Sequence, residues 1–311
     1  MWRESMGEGR GFGKVILFNE HFVVYQVPSI VSAIDRATTA TVEPSNGKGW
    51  SLDDRREATP NYKEDKLEQQ KESIERVLKA AGVDSTKNPI KITLGGDLVA
   101  ASGIGASAAS CVAIARALSE EFNLRFSDER INGISYEGER AYHGAPSGVD
   151  NTAATYGGLI WFVKGRPIEM IKIKKPVEVV MGNTGVVTDT KAAVAGVRER
   201  KEKYPEKYAK IFKEAEDLAY KARKALESYD LKAVGKYMDE NHKQLQGIEL
   251  SCKELDFLVD IARKHGAIGA KLTGGGLGGN MVALTPGREL QEKVARAIEK
   301  EGFEVLRTKI G

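Results

Sequence analysis

GERAYHGAPSGVDNTAATYGG, residues 138–158, sets glycine and proline punctuation between two helical patterns. The first pattern starts behind Ser127 or Asp128, either of which can cap a helix, and ends near Tyr142. The second runs from about Gly148 to Thr155 and puts Asp150 at or near its start. An aspartate there is ordinarily an N-cap; the functional alternative is a carboxylate aimed at a substrate hydroxyl. Glu139 sits on the preceding helix and can reach the same cleft, although a lone glutamate on a helix more commonly faces solvent.

Working outward, Gly103-Ile104-Gly105-Ala106-Ser107-Ala108-Ala109 runs into a helix rich in small residues. Glycines let a backbone approach an anion closely, and a helix start presents unpaired N–H groups at its positive end. Together these make a phosphate site, with Ser107 able to offer a hydroxyl to a phosphate oxygen or a Mg²⁺ ion. The Lys-Ser/Thr pair of a P-loop and the third glycine of a dinucleotide fingerprint are both missing. A plain turn before a tightly packed helix is the competing reading.

Two further glycine-rich stretches flank the chain. Lys271-Leu272-Thr273-Gly274-Gly275-Gly276-Leu277-Gly278-Gly279 carries more glycine than a hairpin needs, at a large entropic cost. Close approach to a ligand or to another backbone accounts for it; a flexible turn is the alternative. Gly11 to His21 places Lys14 inside an apolar strand, with Glu20-His21 just past its end. A lysine in such a strand ordinarily points to solvent; otherwise it faces a cleft and serves an anion. Glu20-His21 reads as a surface pair or as a substrate clamp.

The 311 residues suggest about two domains. The division is expected near residue 180, giving 1–180 and 181–311. With 41% hydrophobic residues the chain can bury a core. Forty-seven basic and 44 acidic residues leave +3, too balanced for a nucleic-acid coat or a membrane sheath. No apolar run reaches membrane-spanning length, and Met1 to Gly13 lacks the apolar core of a signal peptide. Cys111 and Cys252 stand alone, with neither metal-ligand nor disulfide spacing. A cytoplasmic protein is the expectation.

The first half alternates strands and helices: strands at Phe12–Phe18, Pro28–Ile34, Ala37–Glu43 and Ile90–Leu94, and a helix over Tyr62–Ala81 ended by Gly82. Asp54 to Asn61 reads as a loop. The second half is more helical, with one long helix over Arg198–Ser228 that Pro205 interrupts.

The order of these motifs resembles the galactokinase, homoserine, mevalonate and phosphomevalonate (GHMP) kinase superfamily. GKVILFNEHFVVY, GERAYHGAPSGVDNTAATYGG and TDTKAAVAGVRER are similar to its mevalonate kinase branch. The modest length and the DDRREATPNY segment resemble the compact members from archaea, bacteria and some protozoa. The resemblance implies an α+β fold of two domains, ribosomal-protein-like then ferredoxin-like, with the active cleft between them. It implies ATP-dependent phosphorylation of mevalonate to 5-phosphomevalonate, in isoprenoid biosynthesis. Asp150 and Lys14 would be catalytic. Glu20, His21 and Thr190 would bind the substrate. Gly103, Ile104, Gly105, Ala106, Ser107 and Ala108 would cradle the ATP phosphates. Ser107 and Glu139 would hold Mg²⁺, and Gly274, Gly275 and Gly276 would shape the cleft. The partners implied are mevalonate and ATP, with no nucleic acid, no membrane and a homodimer.

The chain departs from the family pattern at four points. Asn19 and Gln26 stand where glycines are usual, Ala106 where a serine is usual, and Leu277 interrupts a glycine run. Asparagine tolerates left-handed backbone better than most residues, so the turn at Asn19 is expected to survive. The rival readings are a sister enzyme on the same scaffold (a phosphomevalonate kinase, mevalonate 3-kinase or decarboxylase) and a non-catalytic sensor. A second substrate phosphate would need added cations, for which Arg55 and Arg56 are candidates, though a charged loop is the commoner fate of such residues.

Overall fold

Alternating glycines decide how the chain starts. In the computed structural model, which describes residues 6–101, 103–186 and 190–311, two compact units are present. One comprises the chain up to Lys14 and Asp35–Gly157; the other comprises Val15–Ile34 and Gly158–Gly311. The division therefore falls inside the first two strands. Residue 180, the boundary read from sequence organisation, lies within a strand of the second unit.

The first unit is built from strands β1 (Gly7–Phe18, its part up to Lys14), β2 (Ser29–Pro44, from Asp35) and β3 (Trp50–Asp54), helices α1 (Tyr62–Asp65) and α2 (Leu67–Ala81), strand β4 (Ile90–Gly96), and helices α3 (Ala106–Glu121), α4 (Asp128–His143) and α5 (Val149–Tyr156). β4 pairs antiparallel with β2, from Thr38–Gly96 to Pro44–Ile90, and parallel with β3. Ile74 and Val77 of α2, Ile92 and Leu94 of β4, Val112 and Leu118 of α3, and Ile131 and Ile134 of α4 form its core.

α3 lies directly on β1. A Cβ added to Gly7, Gly9 or Gly11 would meet the carbonyl oxygen of Ala117, Ala113 or Ala109 at 2.2, 2.0 and 2.2 Å. The geometry explains the spacing. Two strand residues advance about 6.7 Å and four helix residues about 6.0 Å, so Gly-x-Gly-x-Gly runs in step with alanines four apart. Side chains on either element would force the two apart.

In the second unit the chain adds β5 (Leu159–Phe162), β6 (Glu169–Ile171), β7 (Val177–Asn183), α6 (Thr190–Lys203), α7 (Pro205–Glu227), α8 (Leu231–Gly247), α9 (Lys253–Lys264), β8 (Gly269–Thr273), β9 (Asn280–Leu284), α10 (Arg288–Lys300) and β10 (Glu304–Ile310). Four strands lie in the order β10-β7-β9-β8 with every neighbour antiparallel. With helices between β7 and β8 and α10 between β9 and β10, this is the split βαβ, ferredoxin-like arrangement expected of the C-terminal part. α9 packs on β8 and β9, and α10 on β7 and β10. Phe22, Tyr208, Leu258, Leu272, Met281 and Ile298 belong to its core.

Several expectations about elements need correction. Pro28–Ile34 and Ala37–Glu43 are one strand, because the polar Asp35-Arg36 pair sits at a solvent-facing point of β2 rather than in a turn. β3, assigned in part to a loop, carries half-polar residues and pairs along one side only. Lys66, at φ −104, separates α1 from α2. The break expected at Pro205 is present, with Pro205 opening α7, but α6 before it reaches back to Thr190. Among the described residues no helix is long and apolar enough to cross a membrane.

One buried group gives the second unit a pH dependence. His242 is 2% exposed, accepts the Leu272 N–H at Nδ1 and donates from Nε2 to Asp256 at 3.1 Å. Burial first, and the Arg263 charge after it, lower its pKa from 6.5 to about 4. The folded protein therefore refuses a proton that the unfolded chain accepts. The stabilisation is complete above pH 6.5 and is lost as pH falls toward 4, by about 3 kcal/mol in all. Urea unfolding at pH 7.5 and pH 5 is expected to lose about 2 kcal/mol from this group. A His242→Gln variant should lack that increment; an unchanged difference would remove the assignment.

Candidate active site

The first unit holds Lys14, the stretch from Gly103 to Ala108, Glu139 and Asp150. Gly103 and Gly105 have φ of 87° and 76°, and Gly105 caps α3 without any side-chain hydrogen bond. The first-turn N–H groups of α3, at Ala106, Ser107 and Ala108, have no intrahelical partners and sit at the positive end of its dipole. Lys14 lies over this loop. Its N–H donates to the Ile104 carbonyl at 2.9 Å, and a Cβ on Gly105 would meet its Cγ at 2.7 Å. Gly105 is thus required twice, for its left-handed backbone and for the space the lysine fills. Gly105→Ala is expected to lower kcat at least about tenfold by displacing Lys14. Steady-state rates with a melting curve check it, and a variant with normal rates would show that Lys14 has room to spare.

The lysine does not point to solvent, its ordinary fate in an apolar strand. It is 4% exposed, and its Nζ stands 3.2 Å from Asp150 Oδ1. Asp150 occupies the first turn of α5 rather than the cap, which is Gly148 at φ 92°. Its side chain is 29% exposed, so it keeps an open side. The α5 helix start favours a negative charge there.

Glu139 is not on a solvated helix face. It is 1% exposed, and neither carboxylate oxygen accepts a hydrogen bond. Burial, then repulsion by Asp150, raise its pKa to about 8; the Ser107 hydroxyl and Lys14 act against the rise. His143 Nε2 stands 3.6 Å from Oε2. Ionised Glu139 is disfavoured here by burial and by Asp150, and a divalent cation bound between the carboxylates would relieve both. No group of three or more His, Cys, Asp and Glu side chains suited to a metal occurs among the described residues. Glu139 and Asp150 with the Ser107 hydroxyl are the oxygen donors that Mg²⁺ takes, its shell being completed by water and substrate phosphates.

The second unit holds the other expected group. Asn19 has φ 70°, so the left-handed turn survives without glycine. Its side chain is fully buried and donates to the Pro28 and Ala215 carbonyls at 2.7 and 3.0 Å, while its Oδ1 accepts from Asn241 at 3.0 Å. Asn19 is thereby a structural substitution, committed to the scaffold. Gln26 likewise adopts φ 65° and ends the short 3-10 turn Phe22–Tyr25. Glu20 makes a buried ion pair with Lys271. His21 is 4% exposed, and its Nε2 lies 2.7 Å from the Gly275 carbonyl. Burial and the Arg200 charge lower its pKa against the pull of that carbonyl.

The glycine loop after β8 serves another backbone. A Cβ on Gly276 would meet the Leu250 carbonyl at 2.5 Å, and one on Gly278 the Val186 carbonyl at 2.7 Å. Leu277 takes φ 56° and donates its N–H to that same Leu250 carbonyl. Gly274 has φ 84°. Thr190 opens α6 and is exposed; the residues just before it, 187–189, lie outside the described set.

Sequence reasoning gave Lys271 no role of its own, did not single out Asn241, and read Arg56 as a phosphate-binding candidate or a charged-loop residue. Lys271 was visible in the strand before the glycine loop, where a charged residue among apolar ones signals a buried partner. Neither expectation for Arg56 holds. It is 6% exposed, pairs with Asp54 at 2.6 Å and donates to Ser110 at 2.6 Å on α3, so it is neither a solvated residue nor a free phosphate ligand. Arg55 is exposed and pairs with Asp53.

Comparisons with known proteins bear on this geometry. The family model described as GHMP kinases N terminal domain matches residues 70–158, and that described as GHMP kinases C terminal matches residues 222–304. Mevalonate kinase from Pyrococcus abyssi is 34% identical over 319 aligned residues, covering 96% of this chain and 93% of the relative. The Pyrococcus horikoshii mevalonate kinase is 34% identical, covering 93% and 91%. The crystal structure of L. major mevalonate kinase in complex with R-mevalonate superposes with a TM-score of 0.94 at 37% identity, covering 98% of this chain and 95% of that one.

Proposed function

The chain belongs to the GHMP kinase family as one of its mevalonate kinases, and on that premise we propose that it transfers the γ-phosphoryl group of ATP to the 5-hydroxyl of mevalonate. The observation that carries the chemistry is the buried Lys14 ammonium, laid over the glycine loop and paired at 3.2 Å with an Asp150 carboxylate that keeps an open side.

Phosphoryl transfer asks mainly for positioning and charge neutralisation. The uncapped first turn of α3 and the glycines at 103 and 105 receive the phosphates on backbone N–H groups. Asp150 accepts the proton of the attacking hydroxyl as its oxygen bonds to the γ-phosphorus. The bond from that phosphorus to the bridging oxygen breaks, and ADP leaves with the electron pair. Lys14 offsets the negative charge that gathers on the attacking oxygen and the transferred group. Glu139 and Ser107 would hold Mg²⁺, which when bound neutralises and orients the phosphate oxygens. Glu20, His21 and Thr190 are proposed for substrate binding. The proposal extends to a homodimer in the cytoplasm, the former read by sedimentation velocity.

The sister-enzyme reading has less support. A substrate with its own phosphate needs uncommitted cations, and Arg56 is already engaged by Asp54 and Ser110. A non-catalytic sensor would be expected to lack Lys14, Ser107 or Asp150, and all three are present.

Glu139→Gln is expected to raise the Mg²⁺ concentration for half-maximal rate at least about tenfold at saturating ATP. Initial rates across a Mg²⁺ series read this, and an unchanged requirement would take Glu139 out of the metal site. The function itself is tested by ADP release with mevalonate, 5-phosphomevalonate, galactose and homoserine in turn. Selective turnover of mevalonate is expected, and preference for any other alcohol would overturn the reading.

A further inference from the structure

Glu20 and His21 are neighbours in sequence, and both are anchored to one five-residue stretch. The Glu20 carboxylate pairs with Lys271, which is fully buried and also donates to the Leu272 carbonyl at 2.7 Å. His21 meets the carbonyl of Gly275, four residues on. A carbonyl oxygen only accepts, so His21 Nε2 carries the hydrogen. Its Nδ1 is buried and has no hydrogen-bond partner. In the neutral ring that atom is a bare acceptor. Its burial and the nearby Arg200 charge both disfavour the doubly protonated ring.

An acceptor of this kind suits a hydroxyl and repels a carboxylate, and a buried acceptor without a donor is a group awaiting one. We propose that Lys271 is a positioning residue for substrate recognition: by holding Glu20 it presents His21 with Nε2 protonated and Nδ1 free to accept a hydrogen bond from a substrate hydroxyl. This inference rests on the mevalonate kinase reading for the identity of the hydroxyl's owner. It assigns separate tasks to two residues that sequence placed together at the substrate. His21 touches the substrate. Glu20 acts through the ion pair that fixes the turn, and Lys271, to which no role was attached, completes the device.

Histidine ¹⁵N spectra of the full chain test the geometry without turnover. The sequence has four histidines, and His21→Gln identifies the signal. The expected wild-type pattern is protonated Nε2 with unprotonated Nδ1, and mevalonate should shift Nδ1 toward the hydrogen-bonded range. Lys271→Met should lose the single-tautomer pattern. It should raise KM for mevalonate at least about tenfold while KM for ATP stays within about twofold, since only one recognition group is displaced. Lys271→Arg, which keeps a buried cation, should recover most of the loss.

Protonated Nδ1 in the wild type, or an Nδ1 that ignores mevalonate, overturns the proposal. So does a Lys271→Met variant that changes both KM values alike or neither. If that variant does not fold, the wild-type tautomer and its response to mevalonate decide the matter. A chain that binds mevalonate at Nδ1 without phosphorylating it would end the kinase reading and leave this inference standing. Turnover of mevalonate with the opposite tautomer would do the reverse.

Discussion

Asp150→Asn lowers kcat by about three orders of magnitude, the middle of the range for removing a general base. The substitution keeps the shape and removes the charge. The amide cannot take the hydroxyl proton, and it leaves Lys14, buried at 4% exposure, without the carboxylate it faces at 3.2 Å. ATP affinity should change little, because the phosphate cradle proposed at the start of α3 is untouched. The same replacement removes the charge that helps to push Glu139 upward. Steady-state kcat for mevalonate, with nucleotide binding followed by titration, separates the two effects. A variant within about tenfold of the wild type would show that Asp150 orients the hydroxyl without receiving its proton.

Gly9→Ala destabilises the first unit by about 3 kcal/mol, the upper range for overpacking. The new methyl would stand 2.0 Å from the Ala113 carbonyl and 2.6 Å from the Ala117 N–H. Both are helix backbone and cannot swing aside as a side chain could. α3 must shift away from β1, and the loop that starts α3 moves with it. A Tm lower by about 6 to 12 °C is expected, together with a loss of activity. Gly133→Ala provides the contrast. Gly133 lies exposed inside α4, and an added Cβ there meets nothing within 4 Å. Alanine is the better helix former, so this variant should gain up to about 1 kcal/mol. Equal behaviour of the two variants would mean that backbone contact between β1 and α3 does not govern stability.

Those glycines also mark what sequence could and could not tell. The glycine loop and helix start proposed for phosphate were legible because they are local: glycines, a helix start and a hydroxyl fall within seven residues. The position of Asp150 at a helix start was legible for the same reason. The stripe of Gly7, Gly9 and Gly11 was in view too, but its meaning depends on alanines a hundred residues later that share its rise per repeat. Lys14 and Glu139 illustrate a different limit. Each has an ordinary exposed fate, and only the partners brought by folding, Asp150 for one and a crowded interior for the other, bury them. Arg56 lies in a polar run that reads as loop, and its burial follows from Asp54 at the end of β3, a strand too polar to be anticipated. Lys66 separates α1 from α2 within a run of helix-forming residues that carries no break signal.

Where the phosphate lands is the most direct test of the central claim. Full-length protein, Mg·ATP and R-mevalonate would be allowed to react, and the product read by phosphorus–proton correlated NMR. The account predicts a phosphorus signal coupled to the methylene protons at carbon 5. A phosphate on the tertiary 3-hydroxyl, showing no such coupling, or no phosphorylated product at all, would contradict it.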